Sequence, residues 1–229
     1  MMSSTIACMD IPSNLIPDAW LWMAALVFIL LLMMALYSAP WAKLGDNEAN
    51  HVYFGAIALL AVLWTLRAGI IPGLNYHLLG VTALCLMFDW QFALLAVSLV
   101  VTLVTSYGPA GWESLPLNVL LMGALPIGLT RLLLTLAQRY LPLNFFVYIF
   151  FNAFLAGGLA SLLTGLAAAT VFLLSGVHGA DALMDNHIPS LVLLFFPEGF
   201  LNGLVMTVLV VYRPRWVSTF HDRWYLDGK

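Results

Sequence analysis

The feature that constrains this chain most is the near-continuity of its apolar stretches, at 19–37, 51–70, 78–89, 92–107, 117–137, 143–175 and 190–212. The short breaks between them carry turn chemistry: Ser38-Ala39-Pro40, Ile71-Pro72-Gly73, Tyr107-Gly108-Pro109, Leu141-Pro142 and Pro189. A helix crosses a bilayer core with about 20 apolar residues, and in lipid the backbone must satisfy its own hydrogen bonds. The pattern therefore predicts an all-α polytopic membrane protein, with one transmembrane domain over residues 1–229. Soluble domains are about 25% charged, whereas this chain is 8% charged and 63% apolar, which excludes them. Eight Lys+Arg against eleven Asp+Glu give no basic field for phosphates, so nucleic acid is excluded as a partner. No Gly-rich phosphate loop is present and no room remains for a nucleotide-binding domain. Any ATP dependence must come from another chain.

Apolarity alone leaves two segmentations open. Residues 78–107 fit one long helix or a hairpin of two short helices turning at Asp89-Trp90-Gln91, and 143–175 fit one helix or two broken near Gly157-Gly158 or Gly165. The excess of Lys and Arg on cytoplasmic loops arbitrates. With seven helices, N-out and C-in, Lys43, Arg131, Arg139, Arg213, Arg215, Arg223 and Lys229 share the cytoplasmic side. Only Arg67 falls near an outer end. Residues 1–18 are then an extracytoplasmic N-terminal segment and 213–229 a cytoplasmic tail. Asp10 and Asp18 stand where the basic region of a signal peptide would be, so a translocated N-terminus is expected instead.

This plan sorts the chemistry by side. Cys8, Met9, Asp10, Asp18, Asn75, His77, His178, Asp181, Asp185 and His187 all fall outside or near the outer surface. His77 stands just before a short helix of small residues and reads either as a metal ligand or as an interfacial amphipathic residue. The run from His178 and Asp181 to Asp185 and His187 offers imidazole and carboxylate ligands, without a specific metal spacing. It reads first as a solvated outer loop. Glu198, about eight residues into the last apolar stretch, is different, because an ionisable group at that depth is costly. It belongs either to a transport path or to a helix contact with Asn118 or Asn152, with Asn202 one turn away. Two cysteines, Cys8 and Cys85, are too few for a disulfide framework. No nucleophile elbow or metalloprotease helix is present. An intramembrane enzyme would have to rest on Glu198 and His77 alone.

Four segments together resemble a known family. Met9-Asp10-Ile11-Pro12-Ser13-Asn14-Leu15-Ile16-Pro17-Asp18-Ala19-Trp20 is similar to the N-terminal Met-His-Ile-Pro-Asp-Gly-x-Leu-x-Pro-x-x-Trp of the CbiM/NikM family, the cobalt and nickel substrate-specific subunits of energy-coupling factor transporters. His77-Leu78-Leu79-Gly80 resembles its His-Leu-x-Gly. Asn118-Val119 with Met122-Gly123 and Pro126 resembles its Asn-Val-x-x-Met-Gly-x-x-x-Pro, and Glu198-Gly199 with Gly203 its Glu-Gly-x-x-x-Gly. The matches run in order over nearly the whole chain.

The resemblance implies a seven-helix, N-out fold whose N-terminal segment plugs into the bundle. In that family the terminal amine, a backbone nitrogen and the second-position His bind the metal with the His before the short helix, a nitrogen set suited to nickel, copper or cobalt. Here His77 is kept, while Asp10 replaces the second-position His and eight residues precede Met9. A start at Met9 would restore the amine but not the imidazole. The implied site is Asp10 and His77 with Cys8 or Met9, a mixed oxygen, nitrogen and sulfur set more open to zinc or copper. The metal is substrate, and no permanently bound cofactor is expected. Implied partners are a coupling transmembrane subunit and cytoplasmic ATPases, and the implied location is the bacterial inner membrane. The small-residue stripe Ala156-Gly157-Gly158-Leu159-Ala160 with Thr164-Gly165 could serve internal packing or contact with the coupling subunit. A member that kept the scaffold but imports another small solute is the alternative to metal uptake, beside the intramembrane enzyme.

Overall fold

The computed structural model describes residues 11–66, 68–71, 74–108 and 111–225. In order, its elements are α1 (Asp18–Ser38), α2 (Asn47–Leu63), β1 (Ala68–Ile71), β2 (Leu74–Tyr76), α3 (Val81–Tyr107), α4 (Trp112–Tyr140), α5 (Phe145–Leu174), α6 (Ala180–Tyr212) and the short α7 (Asp222–Tyr225). Five of these, α1, α3, α4, α5 and α6, are long and apolar enough to cross a membrane. α2 has 17 residues, about 25 Å at the usual rise per residue. Large apolar side chains such as Leu26, Phe146 and Leu193 stay exposed, as a lipid-facing surface requires.

Local signals set the boundaries. α1 stops at Ser38 because Ala39 precedes Pro40 and is held extended (φ −64°, ψ 134°). Asp46 caps α2 by accepting the Ala49 N–H at 3.3 Å. The all-α expectation holds for every long element, and a short hairpin interrupts them after α2, where β1 and β2 pair antiparallel with Gly69 opposite Asn75. The β-branched Ile70 and Ile71 favour a strand over the helix that an apolar run to residue 70 suggested. α2 ends instead at Leu63, and Trp64 closes it by donating its N–H to Leu60 O.

Residues 78–107 turn out to be neither a plain single helix nor two separate ones. α3 breaks at Asp89, whose backbone (φ 66°, ψ 169°) is outside the helical region and costly for a residue with a side chain. The break frees the carbonyls of Leu86 and Met87. The C-terminal tail takes both: Thr219 donates its N–H (3.3 Å) and its hydroxyl (2.7 Å) to Leu86 O, and Ser218 donates its N–H to Met87 O at 3.0 Å. The Asp89 carboxylate receives Lys43 at 2.9 Å, Arg131 at 3.3 Å and the Ser218 hydroxyl at 3.0 Å. Phe220 and Tyr225 of the tail stack on each other, and the Tyr148 ring meets both edge-on.

α5 is one helix, with a π-helical stretch at Tyr148–Leu155 and no break at its glycines. Its small-residue stripe faces α6. A Cβ at Gly157 would lie 2.8 Å from Asn202 Nδ2, and one at Gly158 2.7 Å from the Phe195 ring. One at Gly165 would strike Leu191, and from the other side a Cβ at Gly199 would lie 2.7 Å from Phe154 O. The stripe is therefore used for internal packing, letting the two backbones approach closely.

Candidate metal-capture site

Two buried side chains fix the segments that carry the candidate ligands. The first is Glu198 on α6, 1% exposed. Its Oε2 accepts the Leu79 N–H at 2.6 Å and its Oε1 the Gly80 N–H at 2.8 Å. Those N–H groups belong to the turn between His77 and the start of α3, where helix donors have no intrahelical partner. Gly80 sits at φ 65°, a left-handed conformation that glycine takes without steric cost. Asn202, one turn along α6, accepts the Ala83 N–H at 2.7 Å and donates its amide to Glu198 Oε1 at 2.7 Å and to Glu198 O at 2.8 Å. A carboxylate and an amide from α6 thus cap the first turn of α3, where the positive end of the helix dipole favours an anion.

This geometry corrects the partners expected for Glu198. Neither Asn118 nor Asn152 meets it; the backbone of residues 79–80 and Asn202 do. Both carboxylate oxygens accept within this cap, which joins α6 to the start of α3. Asn152, fully buried in the π-helical stretch of α5, has no hydrogen-bond partner among the described residues. Sequence spacing could not find the cap, because its members are far apart along the chain.

His77 itself is 5% exposed. Its ring lies against Trp64, centroids 4.8 Å apart, and its Nδ1 lies 3.1 Å from Leu78 O. Trp64, completely buried, donates its indole N–H to Leu79 O at 3.0 Å. One side of the His77–Gly80 turn is therefore held by Trp64 from α2 and the other by Glu198 from α6.

The second fixing residue is Asn118 on α4. Its Oδ1 accepts the Ile11 N–H at 2.8 Å, and its Nδ2 donates to Ile11 O at 3.3 Å and to the Ser114 hydroxyl at 3.4 Å. The amide reads both backbone groups of Ile11 as a neighbouring β-strand would. The Ile11 side chain is fully buried with Ile16, Leu117, Phe172 and Leu183. The chain next to Asp10 is thereby seated inside the bundle. Cys8, Met9 and Asp10 lie outside the described residues.

The run from His178 to His187, at the start of α6, is dispersed. His187 is buried with Nε2 3.0 Å from Gly165 O, His178 packs on Phe172 at 5.3 Å, and Asp181 and Asp185 are exposed. Among the described residues no three His, Cys, Asp or Glu side chains form a metal-holding group.

The fold and the sequence both have relatives. A solved structure described as that of a truncated transition metal transporter superposes with a TM-score of 0.74 at 18% identity, covering 89% of this chain and 99% of that one. No curated protein matches the chain. The sequence model of the family described as the cobalt uptake substrate-specific transmembrane region, CbiM, matches residues 10–216. That match takes in the Ile11 segment, the His77 turn, Asn118 and the Glu198 cap together, and the chain belongs to the CbiM family of membrane subunits for metal uptake.

Proposed function

We propose that the protein captures a divalent transition-metal ion, cobalt, nickel or another, on the outer side of a bacterial inner membrane. It hands the ion on together with a separate coupling transmembrane subunit and cytoplasmic ATPases. His77 supplies an imidazole and Asp10 a carboxylate, with Met9 or Cys8 completing the set. The observation that carries this reading is the pair of buried clamps, Asn118 on Ile11 and Glu198 on Leu79 and Gly80. Each holds rigid the backbone beside a candidate ligand, as supporting contacts around metal ligands do. The family and the fold point to a transporter rather than an enzyme.

The seven-crossing, N-out and C-in plan is part of the proposal. The α3 break meets Lys43 from the α1–α2 connection and Ser218 from the tail, whereas the N-terminal segment meets the opposite end of α4 at Asn118. Counting α3 as a short descending half and a longer returning half gives seven passes with the basic residues on one side.

Calorimetry with nickel, cobalt and zinc tests the site. His77→Ala should abolish high-affinity binding, and Asp10→His should shift preference towards nickel or cobalt. Binding by wild type should weaken on acidification, because protons compete with metal for both groups. Wild-type heats retained by His77→Ala would overturn the reading.

A further inference from the structure

A groove of about 370 Å³ opens on the surface between α1, α3 and α4. Leu31 forms one wall, Trp90 and Leu94 a second, and Ala124 and Gly128 of α4 the third. Arg131 lies at one end of the groove and is its only charged lining residue among the described residues. Ala124, Gly128 and Arg131 share one stripe of α4, about 10 Å long at the usual helical rise. The groove exists because Ala124 and Gly128 are small: a Cβ added at Gly128 would meet nothing within 4 Å.

The charge at its end is unbalanced. Arg131 and Lys43 both pair with Asp89, which leaves two cations on one carboxylate and a net single positive charge. The Arg131 side chain is 39% exposed and that of Lys43 48%. Guanidinium offers five donors in a fork that suits a phosphate, and Asp89 receives one of its nitrogens. An apolar furrow running along a membrane helix and ending in surplus positive charge is complementary to one kind of molecule. It has the hydrocarbon chain for the furrow and the anion for its end.

We infer that this groove binds an anionic phospholipid, with an acyl chain along Ala124–Gly128 and the phosphate against Arg131, while Lys43, outside the groove's lining, shares the Asp89 carboxylate with it. The site is separate from the metal ligands and independent of how they bind. It would place a lipid phosphate beside the strained backbone of Asp89, where it offsets the surplus charge at the α3 break.

The test uses the full chain, purified in detergent and incubated with phosphatidylglycerol or phosphatidylcholine of identical acyl chains, with bound lipid counted by native mass spectrometry. Wild type should retain phosphatidylglycerol preferentially. Arg131→Gln should lower that retention about fivefold, the factor one basic side chain is worth at an anionic membrane surface, and leave phosphatidylcholine unchanged. Gly128→Leu should lower retention of both lipids. Its Cβ meets nothing within 4 Å, and leucine is the better helix former, so it remains informative if Arg131→Gln fails to fold. Glycerol phosphate, lacking acyl chains, should not compete. Unchanged phosphatidylglycerol retention in Arg131→Gln or in Gly128→Leu, competition by glycerol phosphate, or a co-purifying protein helix displaced by Gly128→Leu would overturn the assignment.

Discussion

Glu198 accepts the Leu79 N–H at 2.6 Å, so the turn that carries His77 is built on a carboxylate from the last long helix. The same carboxylate accepts from Gly80 and Asn202. An ion buried in a membrane protein persists when its lone pairs are used, and here three donors use them. Movement of α6 against α3 would therefore act on His77 through two residues of backbone.

Glu198→Gln keeps the size but replaces an acceptor oxygen with a donor that faces other donors. It should lower stability by about 1–3 kcal/mol, the usual cost of a buried unsatisfied group, and weaken metal binding alongside. Glu198→Leu should be worse, because both backbone N–H groups then lose their acceptor. Melting in detergent and metal calorimetry on both variants check this, and a wild-type melting point for Glu198→Leu would refute the cap.

Asn118→Leu removes both hydrogen bonds that seat Ile11. The segment at Ile11 should become open to limited proteolysis, and metal affinity should fall about tenfold or more, corresponding to the loss of about 1.4 kcal/mol or more. His77→Ala should by contrast lose binding without exposing the N-terminal segment. Equal protease resistance in Asn118→Leu and wild type would count against the clamp.

Gly157→Ala places a methyl 2.8 Å from Asn202 Nδ2, the side chain that holds Ala83 and Glu198. Overpacking of this kind costs about 1–3 kcal/mol. Gly128→Ala, with open space around its new methyl, is the control and should be neutral or slightly stabilising. Thermal melting of the pair separates packing from helix propensity; equal melting points would show that the α5–α6 seam tolerates a methyl.

A reporter fused after Lys229 should be cytoplasmic, and one inserted near Gly179 external. Finding both on one side of the membrane would rule out the seven-pass plan.

Apolar continuity, the low charge content and the turn clusters were enough to identify a helical membrane protein, because in lipid hydropathy and backbone satisfaction leave few other folds. Ordered motifs around Ile11, His77, Asn118 and Glu198 were enough to suggest its family. The sequence also marked Asp89 as a turning point and Glu198 as a residue whose burial needed a reason. It could not show what satisfied either. Asp89 is held by Lys43, Arg131 and Ser218, and Glu198 by the backbone of Leu79 and Gly80 with Asn202. Backbone donors leave no trace in residue type, so a search among polar side chains pointed to Asn118 and Asn152 instead. The β-hairpin was hidden for a related reason: residues 68–71 are as apolar as the helix before them, and their pairing partner decides the conformation. Hydrophobic pattern is a local property and can be read along the chain. The partners of buried polar groups are set by which helices pack together, and only the tertiary structure decides that.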